Sequence, residues 1–185
     1  MTNRTRYNPR FVLPEAGVRG VSPETTRSVI APGELAPDFD LPALISGVKK
    51  RFHLREQLDK GFVVLAFYPV NWGTVSARQL TQYQAEHDRF ISQGEVVGIS
   101  VDSIMNTTVW EREIGPLDFP LCSDFWPHGE VCRGYGVFRE KSPLAGASER
   151  AIVVVDRGGR VTFSKVYGLE ELPPLSEMLE ALGKL

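Results

Sequence analysis

Cysteine is scarce in this 185-residue sequence, which contains only Cys122 and Cys132. Two cysteines are too few for a disulfide framework, and this pair forms neither a Cys-x-x-Cys exchange motif nor the paired spacing of a zinc site. Free cysteine is among the residue types that are most often buried. We therefore expect both side chains to lie in the core, and we expect the chain to occupy a reducing compartment.

Long hydrophobic runs and excess charge are also missing. Stretches such as residues 62–68 are far shorter than the ~20 apolar residues that span a bilayer, and the N-terminus has no hydrophobic stretch like that of a signal peptide. The formal net charge is −2 and the pI is about 6.0, so the overall charge provides no general attraction for nucleic acid or anionic lipid. We expect a cytoplasmic protein with no nucleic-acid or membrane partner.

The rest of the composition indicates one folded domain with an appended arm. Hydrophobic residues make up 42% of the chain and charged residues 24%, which is enough apolar material for a single core. Residues 1–33 differ because they carry five arginines against two glutamates and show no apolar period. We interpret 1–33 as an N-terminal arm and 34–185 as the domain. The arm is either a loose terminus, which we favour, or a strap on its own domain or a partner, held by Tyr7, Phe11, Val12 and Leu13.

Strand and helix patterns alternate through the domain. An apolar run typical of a buried strand covers residues 62–68, and an amphipathic helical stripe covers 76–93 and ends at Gly94. Further elements follow in order: a strand at 96–101, a helix at 105–114, a strand at 119–122, a helix at 130–135, a hairpin at 151–166 and a helix ending near Leu182. This order predicts an α/β thioredoxin-like fold, with a central mixed sheet flanked by helices on both faces.

The junction at residues 67–76 carries the candidate site. It reads Phe-Tyr-Pro-Val-Asn-Trp-Gly-Thr-Val-Ser and joins the end of a buried strand to a helix, where ligands of open α/β sheets tend to bind. Ser76 lies near the predicted helix N-terminus, whose free N–H groups and dipole stabilise negative charge. Serine is also a preferred helix N-cap, so a simple capping role is the alternative interpretation of Ser76.

This junction resembles the active-site pattern Pro-x-x-x-Thr/Ser-x-x-Cys of the peroxiredoxins, the AhpC/TSA family. Pro69 matches the proline, Gly73 stands at the Thr/Ser position, and Ser76 stands at the position of the peroxidatic cysteine. Arg150, just before a predicted strand, matches the arginine of the second family signature. The resemblance extends over about 150 residues, and residues 123–129 are most similar to the one-cysteine AhpE-like branch.

The resemblance implies thiol-dependent reduction of hydrogen peroxide or alkyl hydroperoxides. In the family the thiolate attacks one peroxide oxygen, while the arginine and helix N–H groups stabilise charge and a threonine hydroxyl orients the peroxide. Arg150 and Pro69 would then frame the pocket, and Thr74 would replace the hydroxyl that Gly73 lacks. The resemblance also implies no bound cofactor, electrons from a small thiol or a thioredoxin-like protein, and a homodimer.

Two departures from the family pattern change the expected activity. A serine hydroxyl ionises far less readily than a thiol, so Ser76 is not expected to reduce peroxide, and Gly73 lacks the orienting hydroxyl. The serine is either a natural loss or a laboratory replacement of cysteine, and the sequence leaves both open. Besides an inactive peroxiredoxin, two alternatives remain. One is a non-enzymatic pseudo-peroxidase used for binding or assembly, and the other is an enzyme in which Cys122 or Cys132 substitutes for the missing thiol.

Three other polar segments are not expected to form sites. The spacing of His128 relative to Cys122, Asp124 and Cys132 fits no familiar zinc pattern, so we predict no metal. The run Lys49-Lys50-Arg51 is too small to indicate nucleic-acid binding, and we interpret it as a short solvated loop. Residues 156–160 are interpreted as a charged turn whose paired glycines supply positive φ.

Overall fold

The structure is a computed structural model that describes residues 28–91 and 94–183. Residues 1–27, which make up most of the predicted arm, lie outside these ranges. The elements in chain order are β1 (Asp40–Ile45), β2 (Val48–His53), α1 (Leu54–Leu58), β3 (Phe62–Phe67), α2 (Thr74–Ala85), α3 (His87–Ile91), β4 (Gly94–Ser100), α4 (Ile104–Ile114), β5 (Leu121–Ser123), α5 (Glu130–Gly134), β6 (Arg150–Val155), β7 (Val161–Tyr167) and α6 (Leu175–Gly183).

The strands form one sheet in the order β2-β1-β5-β4-β3-β6-β7. β3 pairs in parallel with β4, and β4 pairs in parallel with β5, whereas the other neighbouring strands are antiparallel. The carboxyl ends of β3, β4 and β5 therefore meet at one edge of the sheet. β6 runs antiparallel to β3 with Ala151 opposite Phe67, so its first residue, Arg150, lies at that same edge.

Alternate side chains of β3 enter two different halves of the core. Leu65 and Phe67 pack in the cluster covered by α1 and α5, whereas Ala66 and Tyr68 pack in the cluster covered by α2, α4 and α6. A strand that is buried on both faces must be apolar throughout, which explains the continuous hydrophobic run of residues 62–68. Helices cover both faces of a mixed sheet, so the predicted fold class is confirmed.

The helix predicted over residues 76–93 is divided into two helices. α2 ends at Ala85, and Glu86 leaves the helical conformation with φ −113° and ψ 14° before α3 begins at His87. The helices predicted at 105–114, 130–135 and the C-terminus correspond to α4, α5 and α6. Within the described residues, no helix is both long enough and apolar enough to cross a membrane.

The sequence did not indicate the β1–β2 hairpin, and the expectation that residues 49–51 form a loop is wrong. These three residues lie in β2, an edge strand, although their side chains are exposed as expected. The turn at Ser46 and Gly47 has positive φ at both residues, 50° and 72°, as tight hairpin turns require. Cationic side chains on an edge strand hinder its pairing with another chain, which accounts for their position.

The hairpin predicted at residues 151–166 is confirmed as β6 and β7, with one difference in the turn. The Asp156 N–H donates to the Arg160 carbonyl at 2.8 Å, and the Gly159 N–H donates to the Asp156 carbonyl at 2.9 Å. Of the two glycines, Gly159 has positive φ (77°), whereas Gly158 is not among the positive-φ glycines of the described chain. One left-handed residue is therefore sufficient to reverse the chain.

The last residues of the predicted arm pack on the domain. Ile30 is buried, and its N–H donates to the Tyr135 carbonyl at 3.0 Å. The Gly33 N–H donates to the Val161 carbonyl at 2.7 Å. Residues 30 and 33 are thus held by backbone hydrogen bonds to Tyr135, which directly follows α5, and to β7. The alternatives of a loose terminus and a strap concern the whole arm, residues 1–33; residues 1–27 lie outside the described ranges, and both alternatives stay predictions.

Candidate functional site

Ser76 is the third residue of α2, directly after the loop that leaves β3. Gly73 is the N-cap of this helix, with φ −73° and ψ 131°, and its carbonyl accepts the Ala77 N–H at 2.9 Å. The capping interpretation of Ser76 is therefore wrong. Ser76 is 1% exposed and lies within the first helical turn, where backbone N–H groups have no partner inside the helix. A negative charge at this side chain would be stabilised by those groups and by the helix dipole.

Gly73 lies against the Ser76 hydroxyl. A Cβ atom on Gly73 would be 3.2 Å from Ser76 Oγ and 3.5 Å from the Val70 carbonyl oxygen. The backbone at Gly73 is extended with negative φ, a conformation that any residue adopts. The backbone therefore does not require glycine here, and a side chain at position 73 would touch the atom that the family pattern identifies as reactive.

Pro69 and Thr74 lie in different surroundings. Pro69 lies two residues after the end of β3 and is buried, whereas Thr74 is the first residue of α2 and is exposed. Residues two apart on an α-helix point about 200° away from each other, so Thr74 and Ser76 face opposite sides of α2. The structure brings Pro69, Gly73 and Ser76 into one loop and helix end, and it leaves the Thr74 side chain on the solvent side.

Asn71 anchors the loop between β3 and α2 in the core. Its backbone N–H donates to Asp102 Oδ2 at 2.7 Å, and its side-chain Nδ2 donates to Thr107 Oγ1 at 3.1 Å. The Tyr68 hydroxyl donates to Asn71 Oδ1 at 3.1 Å. Burial raises the pKa of Tyr68, so the phenol stays protonated and keeps donating. These partners lie up to 36 positions away in sequence, which explains why the sequence did not reveal them.

Trp72 holds the outer side of the same loop. Its backbone adopts the left-handed region with φ 64°, and the residue is 55% exposed. The indole Nε1–H donates to Asn106 Oδ1 at 2.7 Å, which ties the ring to the first turn of α4. The two hydrogen-bonded residues, Asn71 inside and Trp72 outside, fix the path of the chain immediately before Ser76.

Arg150 reaches the helix that carries Ser76 from the sheet. Arg150 is 3% exposed, and its Nη1 donates to Gln79 Oε1. Its Nε and Nη2 both donate to the Leu169 carbonyl, at 3.1 and 2.8 Å. Gln79 lies three residues after Ser76, so the two side chains share one face of α2. Burial lowers the pKa of Arg150, but an arginine in a protein stays charged.

Gln79 connects Arg150 to Tyr83. Its Nε2 donates to the Tyr83 hydroxyl at 3.2 Å, and the Gln79 side chain is fully buried. Burial raises the pKa of Tyr83, so this partner is uncharged. The sequence-based site did not include Gln79. Its three-residue spacing from Ser76 on a predicted helix is the signal that could have found it.

Cys122 and Cys132 are free and buried, as predicted. Burial raises the pKa of both thiols well above the ordinary value, and the Asp124 carboxylate acts in the same direction. Thiolates are the reactive form of cysteine, so both side chains have the character of inert core residues.

Asp124 and His128 take part in local structure around α5. The Asp124 carboxylate accepts the backbone N–H groups of Val131 at 3.2 Å and Cys132 at 2.8 Å, and the His128 ring is 2.8 Å from the Gly146 carbonyl oxygen. Across residues 28–91 and 94–183, no group of three or more His, Cys, Asp or Glu side chains could hold a metal ion. The absence of a metal in the functional protein stays a prediction.

Comparisons with known proteins agree with the family resemblance and the fold. A sequence model of the AhpC/TSA family matches residues 32–164. Alkyl hydroperoxide reductase E of Mycobacterium tuberculosis is 33% identical over 154 residues, which covers 83% of this chain and 96% of that protein. A chloroplastic 2-cysteine peroxiredoxin of Chattonella marina var. antiqua is 31% identical over 157 residues, covering 81% of this chain and 77% of the relative.

Comparison with solved structures also finds a peroxiredoxin. The reduced 2-Cys peroxiredoxin of Plasmodium vivax superposes with a TM-score of 0.76 at 26% identity, covering 82% of this chain and 79% of that structure. The family model matches well over half of the sequence, and the relatives align along most of the domain. The chain therefore belongs to the AhpC/TSA family of peroxiredoxins.

Proposed function

We propose that this chain carries the peroxide site of a peroxiredoxin with Ser76 in the peroxidatic position, and that the serine leaves it unable to reduce peroxide. One observation carries the proposal: Ser76 is buried in the first turn of α2, and Arg150 binds the same helix face one turn later through Gln79. Helix N–H groups and a guanidinium are the groups that stabilise developing negative charge in such reactions. The groups that would stabilise charge thus lie next to the Ser76 hydroxyl oxygen, where the family pattern has a cysteine sulfur.

The reaction requires an ionised nucleophile at position 76. A thiolate would attack one peroxide oxygen, so that the S–O bond forms as the O–O bond breaks. The second oxygen would leave as hydroxide or alkoxide and take up a proton, giving a sulfenic acid and water or an alcohol. Sulfur loses two electrons, and a small thiol or a thioredoxin-like protein would return them. The Ser76 hydroxyl has a pKa far above neutrality and cannot begin this sequence at a useful rate.

The proposal is tested by restoring the thiol. We expect Ser76→Cys to react with hydrogen peroxide or an alkyl hydroperoxide at least about a hundredfold faster than a thiol placed outside the pocket, because a preorganised charge-stabilising site typically contributes that much. The unchanged chain, which has no thiol at position 76, should not react at a useful rate. Stopped-flow tryptophan fluorescence on the prereduced proteins measures both rates.

Thr74→Cys is the matched control. It places a thiol in the same helical turn but on the exposed side, away from Ser76. A helix N-terminus alone would activate both thiols, whereas a built pocket activates the one at position 76. If Ser76→Cys reacts no faster than Thr74→Cys, the proposed site is wrong.

A non-enzymatic role in binding or assembly is the second candidate. It is favoured by the simultaneous absence of a thiol at position 76 and of a hydroxyl at position 73, where the backbone conformation suits any residue but a Cβ atom would lie only 3.2 Å from Ser76 Oγ. A site that has only lost its thiol should respond to Ser76→Cys, or to Ser76→Cys with Gly73→Thr. If both variants are inert toward peroxide, the binding role becomes the better explanation.

Substitution of the missing thiol by Cys122 or Cys132 is the least supported alternative. Both thiols are buried, and burial raises the pKa of each. This alternative requires the unchanged chain to consume peroxide and to lose that activity with Cys122→Ser or Cys132→Ser.

We also propose that the chain forms a homodimer and acts in the cytoplasm. Large exposed apolar side chains support self-association, among them Trp72, Met105 and Trp126, because such residues are enriched in protein interfaces. Sedimentation at micromolar concentration tests the dimer, and a purely monomeric profile would contradict it. Imaging of the tagged chain in its own cells tests the location.

A further inference from the structure

We propose that the serine at position 76 makes this site a receptor for a small monovalent anion of the carboxylate type, which supplies the negative charge that an ionised cysteine would otherwise carry. The inference rests on the proposed function, because it assumes that the groups around position 76 are arranged to stabilise one negative charge. It goes further by assigning a ligand to the chain as it stands, with serine in place.

Arg150 carries a buried positive charge that no acidic side chain balances at close range. Its hydrogen bonds go to Gln79 Oε1 and the Leu169 carbonyl, which are neutral oxygens. In the part of the chain that the structure describes, no carboxylate lies at ion-pair distance from Arg150. The titratable groups that act on it are Tyr83, which is buried and uncharged, and Glu170, which is exposed. Buried charges are usually paired, so this guanidinium is expected to attract an anion from solution.

The Ser76 hydroxyl is a second donor whose hydrogen is available. Ser76 is 1% exposed, and its oxygen forms no hydrogen bond with any residue of the described ranges. Every fully enclosed side-chain N or O atom in those ranges has a partner, so Ser76 Oγ must border a small opening to solvent. This oxygen lies towards the N-cap, because a Cβ atom on Gly73 would be 3.2 Å from it. The hydroxyl can therefore donate to a ligand at the N-terminal end of α2, where backbone N–H groups also lack helical partners.

The available donors suit a planar anion with two acceptor atoms. A guanidinium has five N–H groups, and three of those of Arg150 are engaged, which leaves one on each terminal nitrogen. Paired N–H groups of this kind match the two oxygens of a carboxylate. One guanidinium balances one charge, so a monoanion fits better than a phosphate dianion. Because Ser76, Arg150 and Pro69 are all buried, the ligand is limited to a few heavy atoms, as in formate or acetate.

The residue at position 76 decides whether an external anion binds. An ionised cysteine there would carry the negative charge itself and would repel a second anion. Serine stays neutral and offers a hydrogen-bond donor instead. Gly73 contributes because a side chain at that position would touch the Ser76 hydroxyl from the side on which a ligand oxygen would lie. The two departures from the family pattern thus act together, since one removes the internal charge and the other leaves space beside the hydroxyl.

Titration of the unchanged chain with acetate tests the site, with backbone amide signals followed by nuclear magnetic resonance. Acetate replaces chloride at constant ionic strength, so that general salt effects cancel. We expect saturable shifts of the amide signals of residues 74–76, with half-saturation near about 1 mM, an affinity that a ligand of four heavy atoms can reach. Phosphate should bind at least about tenfold more weakly. The absence of a saturable shift at about a hundredfold higher acetate would overturn the inference.

Variants of the two donors test whether the acetate is held where we infer. Ser76→Ala removes one hydrogen bond to the ligand with little change in volume and should weaken binding about tenfold, and Arg150→Gln should weaken it about a hundredfold. Arg78→Gln is the matched control, because Arg78 is an exposed arginine of the same helix, and it should change the affinity less than about twofold. Equal binding by all four proteins would place the acetate elsewhere and would contradict the inference. Should Arg150→Gln fail to fold, Ser76→Ala decides by the same criterion.

Ser76→Cys distinguishes the two proposals. In this variant acetate should bind while the thiol is protonated and at least about tenfold more weakly once the thiol ionises. By linkage, acetate must then raise the pKa of the thiol, which ultraviolet thiolate absorbance measures. If Ser76→Cys reduces peroxide and the unchanged chain binds no acetate, the inference is wrong and the proposed function stands. If the unchanged chain binds acetate through Ser76 and Arg150 but Ser76→Cys is inert toward peroxide, the proposed function is wrong and the anion site stands.

Discussion

Asn71 gives a direct test of how the loop before Ser76 is held in place. The Asn71 residue is 4% exposed, and its side chain accepts a hydrogen bond from the buried Tyr68 hydroxyl and donates one to Thr107. Asn71→Ala removes both side-chain bonds and leaves the backbone bond to Asp102 in place. The loop then keeps one connection to the core and loses two.

The expected cost follows from these contacts. Each lost hydrogen bond contributes about 1 kcal/mol, and two buried hydroxyls lose a partner, so Asn71→Ala should lower the free energy of unfolding by about 2–3 kcal/mol. For a chain of this length, 1 kcal/mol shifts Tm by about 2–4 °C. We therefore expect Tm to fall by about 4–12 °C.

Urea and thermal unfolding measure this change, and a double-mutant cycle with Tyr68→Phe isolates the shared bond. Two groups in direct contact should show a coupling energy of about 0.5 kcal/mol or more. Trp72→Phe is the control, because it removes an exposed hydrogen bond of the same loop and should cost less than about 1 kcal/mol. A loss below about 0.5 kcal/mol for Asn71→Ala would refute the anchoring role.

Three further outcomes can be measured on the same protein. Burial raises the pKa of Asp124, so the folded state binds a proton more tightly than the unfolded state. The free energy of unfolding should therefore fall as pH rises from about 4 through the raised pKa. Urea unfolding measures this fall, which Asp124→Asn should lack. Leu80→Ala should lower the free energy of unfolding by about 3 kcal/mol because Leu80 is fully buried, whereas Arg78→Ala on the exposed side of α2 should change it by less than about 0.5 kcal/mol in the same assay. The thiols of Cys122 and Cys132 should react with a thiol reagent only as the protein unfolds, and rapid labelling of the folded chain would contradict their burial.

The sequence predicted those parts of the fold whose pattern is local. The run at 62–68 is apolar at every position because β3 is buried on both faces, and the turn at 156–160 carries the glycine that its geometry needs. β2 was missed because an exposed edge strand has almost no apolar pattern, and only Phe52 within it is buried. The break at Glu86 was missed because the residues around it are compatible with a continuing helix.

The candidate site was predictable up to the point where contacts become distant in sequence. Ser76, Gly73 and Pro69 belong to one short segment, so their proximity follows from the motif. Arg150 was found only through the family resemblance, since its partner Gln79 is 71 positions away. Sequence patterns report which face of a helix is buried, but they do not report which buried polar groups meet across the core.

The hydrogen bonds from Arg150 to Leu169 bear on where the functional unit of this protein ends. The family match stops at residue 164, inside β7 and before Leu169 and α6. A shortened chain that followed the match would lack one of the two supports of the guanidinium, as well as the core contacts of Met178 and Leu182. At the other end, Ile30 lies outside the match and inside the core cluster. The segment that must be kept together is thus longer at both ends than the segment that sequence similarity identifies.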